Sequence, residues 1–288
     1  MTKKQKSVVI TGVSTGIGWA AAKVLVDAGF RVFGSVRKDE DAKRLVTELG
    51  PNFVPLIFDV TDEKAVKTAA SRVRSVLNGE TLCGLVNNAG IAVAGPLVYL
   101  PVEEFRKQLD VNLTGVVIAT QAFAPLLGVD KGLKGKPGRI INISSGSGRK
   151  ASPFLAPYSA SKFGLEGLSE ALRQEMTVFG IDVIVVAPGM VATPIWDKAG
   201  ETDVARYATT AYAQSLDNVR AMALKSGRAG LAPKKLGDVV KLALTARNPK
   251  PRYAVSRPSL TKVFLSLLSQ RSIDRLTVNA IGLKRIKR

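Results

Sequence analysis

The 288-residue chain contains no histidine, and this absence removes several classes of catalytic site. Without an imidazole there can be no Ser-His-Asp triad, no HExxH zinc site and no histidine acting as a general base. The single cysteine, Cys83, cannot form a disulfide within the chain or a CxxC metal site. We therefore expect no metal centre, and any proton transfer has to be carried by other side chains.

Long hydrophobic stretches are also missing. No run reaches the roughly 18 to 20 apolar residues that a membrane-spanning helix needs. The basic residues 1–6 lead after only four residues into Thr11-Gly12, which leaves no apolar region for a signal peptide. A lone cysteine is typical of a reducing compartment. These features favour a cytoplasmic protein, either free or peripheral to a membrane.

Acidic residues are scarce beside basic ones, since 42 Lys and Arg against 23 Asp and Glu give a formal net charge of +19. Between residues 241 and 288, twelve basic residues accompany one acid, Asp274. Such a charge can indicate binding to nucleic acid or to an anionic membrane. No basic helix-turn-helix or aromatic RNA-binding surface accompanies it, so we expect no nucleic-acid partner.

The basic C-terminal segment also carries an apolar helical face, which consists of Leu260, Val263, Phe264, Leu267 and Leu268. Basic residues follow this face at Arg271, Arg275, Lys284, Arg285, Lys287 and Arg288. One interpretation is that the face packs against the rest of the domain. The other is that it lies in the interface of an anionic membrane, where nearby basic residues strengthen binding. The two interpretations are compatible.

Short apolar runs alternate with amphipathic segments along most of the chain. The runs predict seven strands: Ser7–Ile10, Phe30–Val36, Asn52–Phe58, Leu82–Val86, Gly138–Ile143, Ile181–Val186 and Tyr253–Val255. The segments between them predict helices at Trp19–Ala28, Glu63–Leu77, Val102–Leu127 and Tyr158–Phe179. This alternation is typical of βαβ units. We therefore predict an α/β fold with a Rossmann-type, doubly wound parallel sheet of about seven strands and helices on both faces.

The alternation of strands and helices changes after Pro188. Thr202–Lys225 and Lys234–Ala246 have the apolar spacing of helices but interrupt the strand order, which suits an insertion that covers a site. We expect a single domain over residues 1–288. Residues 1–194 would form the cofactor-binding and catalytic core, and residues 195–288 would form a helical substrate cover with the basic C-terminal segment.

Three glycines lie in Thr11-Gly12-Val13-Ser14-Thr15-Gly16-Ile17-Gly18, directly between the first predicted strand and the first predicted helix. Glycines permit a sharp turn and let the backbone approach a pyrophosphate, which the free N–H groups of a helix N-terminus bind. An ordinary turn could contain the same glycines. The order of strand, turn and helix favours a site for a dinucleotide cofactor.

The second predicted strand ends at Ser35-Val36-Arg37-Lys38. An acidic residue at this point would bind the ribose 2′-hydroxyl of NAD and repel a 2′-phosphate, whereas Arg37 can bind the 2′-phosphate of NADP through two N–H groups. This predicts NADP as the cofactor. The alternative is NAD bound through Asp39, with Arg37 merely solvated.

Tyr158 and Lys162 are four residues apart, which puts a phenol and an ammonium on one face of a helix that Pro157 could begin. A free tyrosine has a pKa of about 10, and a nearby ammonium favours the phenolate. Ser145 lies thirteen residues before Tyr158, at the end of a predicted strand. The adjacent Ser144 could donate a hydrogen bond equally well.

Together with Asn87-Asn88-Ala89-Gly90, Asn112 and Pro188-Gly189, these motifs resemble the short-chain dehydrogenase/reductase family from Ser7 to about Pro194. The resemblance implies an oxidoreductase that interconverts an alcohol and a ketone or aldehyde with a nicotinamide cofactor. It also implies which residues carry the reaction and which bind the cofactor.

The resemblance implies four catalytic residues. Tyr158 would be the general acid in reduction and the base in oxidation. Lys162 would lower the pKa of Tyr158 and bind the nicotinamide ribose. Ser145 would hold the substrate oxygen, and Asn112 would anchor a water that feeds protons to Lys162. The implied cofactor-binding residues are Gly12, Ser14, Thr15, Gly16, Ile17, Gly18, Arg37, Asp59, Val60, Asn87, Ala89, Gly90, Tyr158, Lys162, Pro188, Gly189, Val191 and Thr193.

The C-terminal region, including Pro251-Arg252-Tyr253-Ala254-Val255, resembles more weakly the family members that act on steroids, retinoids and other lipophilic alcohols. That predicts a lipophilic substrate. A small polar carbonyl is an alternative substrate, and a catalytically silent cofactor-binding or scaffold protein is an alternative function. The family resemblance further implies a homodimer or homotetramer assembled through the helices that carry Asn112 and Tyr158.

Overall fold

The computed structural model describes residues 5–193, 205–257 and 268–283. Its centre is one seven-stranded sheet in which every strand pair is parallel, with the spatial order β3-β2-β1-β4-β5-β6-β7. The strands are Ser7–Ile10 (β1), Arg31–Val36 (β2), Phe53–Ile57 (β3), Gly84–Asn87 (β4), Arg139–Ile143 (β5), Asp182–Pro188 (β6) and Arg252–Val255 (β7). The predicted doubly wound α/β fold is confirmed.

Helices cover both faces of the sheet. In the described residues they are Gly16–Asp27 (α1), Asp39–Leu49 (α2), Glu63–Leu77 (α3), Val102–Leu109 (α4), Gly115–Phe123 (α5), Ala156–Glu175 (α6), Ala213–Arg228 (α7), Pro233–Thr245 (α8) and Gln270–Ile281 (α9). Apolar residues of α1, α2 and α8 form one core with the sheet. Those of α3, α5 and α6 contribute to a second core. The two clusters place the sheet between two helical layers.

The predicted helix Val102–Leu127 is continuous but combines α-helical, π-helical and 3₁₀-helical turns. A π-helical segment, Asp110–Thr114, separates α4 from α5, and the last turn, Ala124–Leu127, is a 3₁₀ helix. By length and composition the run could cross a membrane, and 39% of its most apolar window is buried inside the protein. It also contains the buried polar side chains of Gln108 and Asn112, both hydrogen-bonded to the backbone of neighbouring loops. Such groups are typical of a helix packed within a folded domain.

Two helices differ from what the sequence predicted. Asp39–Leu49 forms α2, although its short pattern had not predicted a helix. Of the predicted Thr202–Lys225, only the part from Ala213 onward is α-helical in the described residues. The Thr210 hydroxyl bonds the carbonyl of Tyr207 and accepts the N–H of Tyr212, and such local side-chain bonds compete with a helix.

The predicted helix Lys234–Ala246 is present as α8, but it does not cover the site. It packs against α1, where a Cβ at Gly237 would lie 2.7 Å from the carbonyl oxygen of Ala20. Leu236 and Val240 of α8 are fully buried in the core that contains the first strand. This helix therefore belongs to the helical layer on one face of the sheet. It connects to β7 as the earlier helices connect to the strands that follow them.

Most of the predicted apolar C-terminal face, residues 260, 263, 264 and 267, lies outside the described residues, as do the basic residues 284–288. Leu268 is half-buried just before α9. The far end of α9 is attached to α7, because Ile281 is buried against Leu216 and the side-chain amide of Asn218 donates to its carbonyl oxygen at 3.2 Å. The described C-terminal helix thus packs on the protein.

Candidate active site

A cavity of about 1440 Å³ opens at the carboxyl ends of the central strands. It lies where the strand order reverses between β1 and β4, which is the usual ligand position in a doubly wound sheet. Its lining extends from Arg37 and Asp59, after β2 and β3, to the loop after β6 and to α9. Pockets for a single small ligand usually measure about 300 to 1,000 Å³. The cavity therefore has room for a cofactor and a second molecule.

The glycine loop packs closely against the residues that follow β4. Gly12 has a positive φ of 69°, and a Cβ there would lie 2.8 Å from the Cα of Ala89. A Cβ at Gly18 would collide with the carbonyl oxygen of Gly12 and the side-chain amide of Asn88. Ser14, Thr15, Gly16 and Ile17 line the cavity at the beginning of α1. Free N–H groups at a helix N-terminus bind phosphate, so this loop fits a pyrophosphate.

Asn88 connects the glycine loop to the end of β4. Its side-chain amide donates to the carbonyl oxygens of Thr11 at 2.9 Å and Gly12 at 2.8 Å. The Thr11 hydroxyl accepts the N–H groups of Asn88 and Ala89 at 2.9 and 3.0 Å. Asn88 was absent from the predicted site residues, although the Asn-Asn doublet pointed to it. Its role is to hold two loops together at the mouth of the cavity.

Asn87 lies inside the sheet and does not line the cavity. Its side-chain amide donates to Asn142 at 2.9 Å and to Thr120 at 3.2 Å, and only 2% of the residue is exposed. These bonds brace the sheet, and the buried position does not fit the cofactor contact that the resemblance implied for Asn87. Ala89 and Gly90 do line the cavity.

Arg37 and Asp59 face each other at one end of the cavity. A guanidinium nitrogen of Arg37 lies 3.9 Å from a carboxylate oxygen of Asp59, and 69% of the Arg37 side chain is exposed. Although burial opposes it, hydrogen bonds from Thr61 and the charges of Arg37 and Lys107 lower the pKa of Asp59. Asp39, the alternative ribose ligand, begins α2 and does not line the cavity. The exposed cation at this end is Arg37.

A second arginine supports the glycine loop. Arg44 on α2 donates to the carbonyl oxygen of Ser14 at 2.7 Å and is paired with Asp41 and Glu48. Sequence reasoning missed this contact because α2 itself was not predicted. Its ion pairs with the two carboxylates fix the position of the guanidinium, so α2 holds the glycine loop in place through this hydrogen bond.

Tyr158 lies in the first turns of α6, where it faces Ser145 across the cavity. Burial raises the pKa of the Tyr158 phenol, and a hydrogen bond with the Ser145 side chain opposes that rise. Ser145 also accepts the N–H of Ser147 at 3.1 Å, which caps the short 3₁₀ turn Gly146–Gly148. Both side chains line the cavity.

Ser144 differs from its neighbour Ser145. Its hydroxyl is buried and has no hydrogen-bond partner among the described residues. The sequence left the choice between the two serines to spacing alone. Ser145, by contrast, lies near enough to Tyr158 to lower the pKa of its phenol, which favours Ser145 as the residue that holds a substrate oxygen.

Lys162 is buried one helical turn after Tyr158. Its ammonium nitrogen donates to the carbonyl oxygen of Ile143 at 2.8 Å and lies 5.8 Å from the centroid of the Tyr158 ring. Burial lowers the pKa of Lys162 to about 8, and the carboxylate of Glu166 acts in the opposite direction. An ammonium held this close favours ionisation of the phenol.

Asn112 sits in the π-helical segment and is almost completely buried. Its side chain accepts the N–H of Ile91 at 2.9 Å and donates to the carbonyl oxygen of Ile91 at 3.0 Å and to Ser161 at 3.2 Å. π-Helical turns inside α-helices occur frequently at functional sites. Asn112 lines the cavity, and its hydrogen bonds join the π-helical segment to α6 and to the loop after β4.

Two segments line the far end of the cavity. One is residues 149–153, which follow Ser145, and the other is one face of α9 formed by Gln270, Ile273, Asp274, Thr277 and Val278. A separation of three or four residues puts such side chains on one helical face. The loop after β6 completes the lining with Pro188, Gly189, Met190, Val191 and Thr193. The sequence predicted that residues 195–288 cover the site, but it did not predict which side chains of α9 line the cavity.

The predicted residues therefore converge on one cavity, with two exceptions. Asn87 and Gly18 lie behind its wall. The remaining predicted catalytic and cofactor-binding residues, with Val60 among them, line it. No cluster of three or more metal-ligating side chains occurs in the described ranges.

Comparison with known proteins agrees with this arrangement. The short chain dehydrogenase family model matches residues 6–204. An NADPH-dependent 3-dehydrocapnine reductase from Ornithobacterium rhinotracheale is 37% identical over 93% of this chain and 94% of its own. Mouse retinol dehydrogenase 16 is 30% identical over 87% and 80% of the two chains. A short-chain dehydrogenase structure from Streptomyces avermitilis aligns with a TM-score of 0.73 at 25% identity, over 96% and 95%.

The family model covers more than half of the chain, and the reductase is related over nearly its whole length. The first six strands of the sheet, the glycine loop and the Tyr158–Lys162 pair lie within the matched region. The chain belongs to the short-chain dehydrogenase/reductase family and is an oxidoreductase.

Proposed function

We propose that this oxidoreductase reduces a ketone or aldehyde with NADPH, that its substrate is lipophilic, and that Asn112, Ser145, Tyr158 and Lys162 are its catalytic residues. The observation that carries the proposal is the arrangement of three groups in one cavity. Tyr158 and Ser145 line the same cavity, and the ammonium of Lys162 lies 5.8 Å from the centroid of the Tyr158 ring. The cavity continues from them to the glycine loop.

The chain's own residues account for the proton and the orientation of the substrate. NADPH, when bound, supplies the hydride. Ser145 donates a hydrogen bond to the substrate carbonyl oxygen, and Tyr158 gives that oxygen its proton as the alcohol forms. Lys162 stabilises the resulting phenolate. As the family resemblance implies, a water held by Asn112 would relay a proton from solvent through Lys162 back to Tyr158. A positioned general acid of this kind contributes about 10² to 10⁴ in rate.

The choice of NADP over NAD rests on Arg37 and on the position of Asp39. Arg37 lines the cavity with an exposed side chain, so its guanidinium is accessible to a 2′-phosphate. Asp39 lies in the first turn of α2 and does not line the cavity. A relative that shares most of the chain is named an NADPH-dependent reductase. Both observations favour NADP.

Exchanging the residues at the end of β2 should reverse this preference. In Val36→Asp/Arg37→Leu the phosphate ligand is removed and a ribose acceptor is introduced, so kcat/KM with NADPH should fall about 100-fold while kcat/KM with NADH rises. The measurement is kcat/KM for both cofactors in both proteins, with Arg31→Leu, at the other end of β2, as the matched control. A wild-type enzyme that already prefers NADH would contradict the assignment of Arg37.

A lipophilic substrate is supported by the apolar part of the far lining. Ile91, Phe163, Met190, Ile273 and Val278 all line the cavity. One relative is named a retinol dehydrogenase. The polar alternative is supported by Arg149, Lys150 and Asp274, which border the same region. Because five large apolar side chains line the cavity, we favour the lipophilic substrate.

A charge on α9 should discriminate between the two substrate types. Ile273→Asp should raise KM for a long-chain ketone at least tenfold, because burial of an isoleucine contributes about 1.5 to 3 kcal/mol and 1.4 kcal/mol is tenfold. KM for a short ketone should change little. Leu276→Asp is the matched control, since Leu276 is exposed on the same helix and does not line the cavity. Equal effects on long and short ketones would argue for a polar substrate.

Assembly, membrane contact and the division of the chain into two parts are also proposed. Assembly as a dimer or tetramer is proposed through α4 to α6, on which Val102 and Phe163 are exposed apolar residues. Peripheral contact with an anionic membrane is proposed through the C-terminal segment, where α9 exposes Leu276 beside Arg275. The division into a core, residues 1–194, and a cover, residues 195–288, also stays a prediction.

A further inference from the structure

Glu166 is a nearly buried carboxylate that the catalytic scheme does not use. It lies one helical turn after Lys162 on α6, and only 14% of its side chain is exposed. Arg252 on β7 donates to both of its oxygens, at 2.8 and 3.2 Å. The guanidinium of Arg149 lies 3.7 Å away. One carboxylate thus joins the catalytic helix, the last strand and the loop that follows Ser145.

The loop after Ser145 packs directly on Glu166. A Cβ at Gly148 would lie 2.9 Å from Cγ of Glu166 and 3.0 Å from the carbonyl oxygen of Lys162. It would also lie 2.8 Å from the hydroxyl of Ser144. The absence of a side chain at Gly148 lets the loop lie against α6. The next residue, Arg149, lines the cavity, and its guanidinium lies near the carboxylate of Glu166.

Electrostatics explain why a carboxylate is needed at this position. The Arg252 side chain is only 20% exposed, and a largely buried guanidinium requires a counter-charge. Because Arg252 already pairs with both oxygens, its two bonds fix the orientation of the carboxylate. Arg149 then meets a carboxylate that cannot rotate away. The loop is held from two sides, by packing at Gly148 and by charge at Arg149.

We propose that Glu166 is a positioning residue of the active site, which holds the loop of residues 146–150, and with it Ser145, in place opposite Tyr158 by binding Arg252 and Arg149. This inference rests on the proposed function, in which Ser145 and Tyr158 act on one carbonyl oxygen. Glu166 itself touches neither substrate nor cofactor. Its charge also favours the ammonium of Lys162, so hydrogen exchange of the loop, and not kcat alone, has to report on the position of Ser145.

Glu166→Gln tests this role, because the amide keeps the size of the side chain and removes its charge. We expect kcat to fall about tenfold, with the Kd for NADPH within twofold of wild type. Hydrogen exchange of the peptide spanning residues 145–150, followed by mass spectrometry, should become at least tenfold faster. The matched control is Asp182→Asn, which breaks the Arg139–Asp182 ion pair of 3.1 Å between β5 and β6, away from the cavity. It should leave kcat and the exchange of this loop within twofold.

Arg149→Ala serves as the second variant, since the side chain is 69% exposed and its removal does not threaten folding. It should accelerate exchange of the same peptide about threefold. Unchanged exchange in both variants would overturn the inference, as would a kcat for Glu166→Gln within twofold of wild type. A wild-type protein that binds NADPH but reduces no carbonyl would contradict the proposed function instead. The exchange measurement, which needs no turnover, would then still decide whether Glu166 holds the loop.

Discussion

Tyr158→Phe should lower kcat for carbonyl reduction at least about 1,000-fold and leave the Kd for NADPH within about twofold. The substitution removes one oxygen atom and keeps the ring that packs in the cavity. Among the described residues at the reacting position, Tyr158 carries the acidic proton, because the Ser145 hydroxyl is a far weaker acid. Loss of a positioned general acid costs about 10² to 10⁴ in rate, and the hydrogen bond to Ser145 is lost with it.

The matched control for this substitution is Tyr253→Phe. Tyr253 lies on β7, does not line the cavity, and accepts the N–H of Lys250 at 3.1 Å. It should retain kcat within twofold. NADPH binding is measured by fluorescence titration, so loss of turnover is separated from loss of the cofactor. Turnover by Tyr158→Phe within tenfold of wild type would remove Tyr158 from the proposed scheme.

Lys162→Met should damage both catalysis and cofactor binding. The methionine preserves most of the buried volume but lacks the ammonium that favours the phenolate and binds the nicotinamide ribose. We expect kcat to fall at least 100-fold and the Kd for NADPH to rise about tenfold. These two losses distinguish Lys162 from Tyr158, for which only kcat should change. If Lys162→Met bound NADPH as tightly as wild type, the ammonium would have no part in holding the cofactor.

The same variant tests the low pKa of Lys162 through stability. The folded pKa of about 8 lies below the ordinary value of 10.5 because the ammonium is buried. Between these two values the unfolded chain binds a proton that the folded chain lacks, so this group makes the cofactor-free protein more stable as pH rises. From pH 7 to 9.5 wild type should gain about 2 kcal/mol relative to Lys162→Met in urea unfolding. A constant difference across this range would contradict the lowered pKa.

The sheet and the centre of the site were predictable because their signals are local. Each strand is a short apolar run, and buried parallel strands consist of such runs. The Tyr158–Lys162 pair depends only on helical spacing, and the glycine loop depends on backbone conformations that its own residues permit. The conformation of these segments depends little on distant parts of the chain.

The remaining features depend on contacts between residues far apart in sequence. Glu166 and Arg252 are separated by 86 positions, and no local pattern pairs them. The position of α8 under the sheet is decided by the close packing of Gly237 on Ala20. The lining face of α9 is defined by which side of that helix meets the cavity, and Asn88 gains its role only when β1 and β4 become neighbours. Tertiary structure supplies each of these contacts.

The central claim is that the protein transfers hydride from NADPH to a carbonyl carbon while Tyr158 supplies the proton. The most direct measurement uses NADPH that carries deuterium at both C4 positions of the nicotinamide. It is incubated with the protein and a mixture of long-chain and short ketones and aldehydes, and the products are identified by mass spectrometry. We predict alcohols that carry one deuterium at the former carbonyl carbon with wild type, and none above background with Tyr158→Phe. Tight binding of NADPH by wild type without any deuterated alcohol would contradict the account.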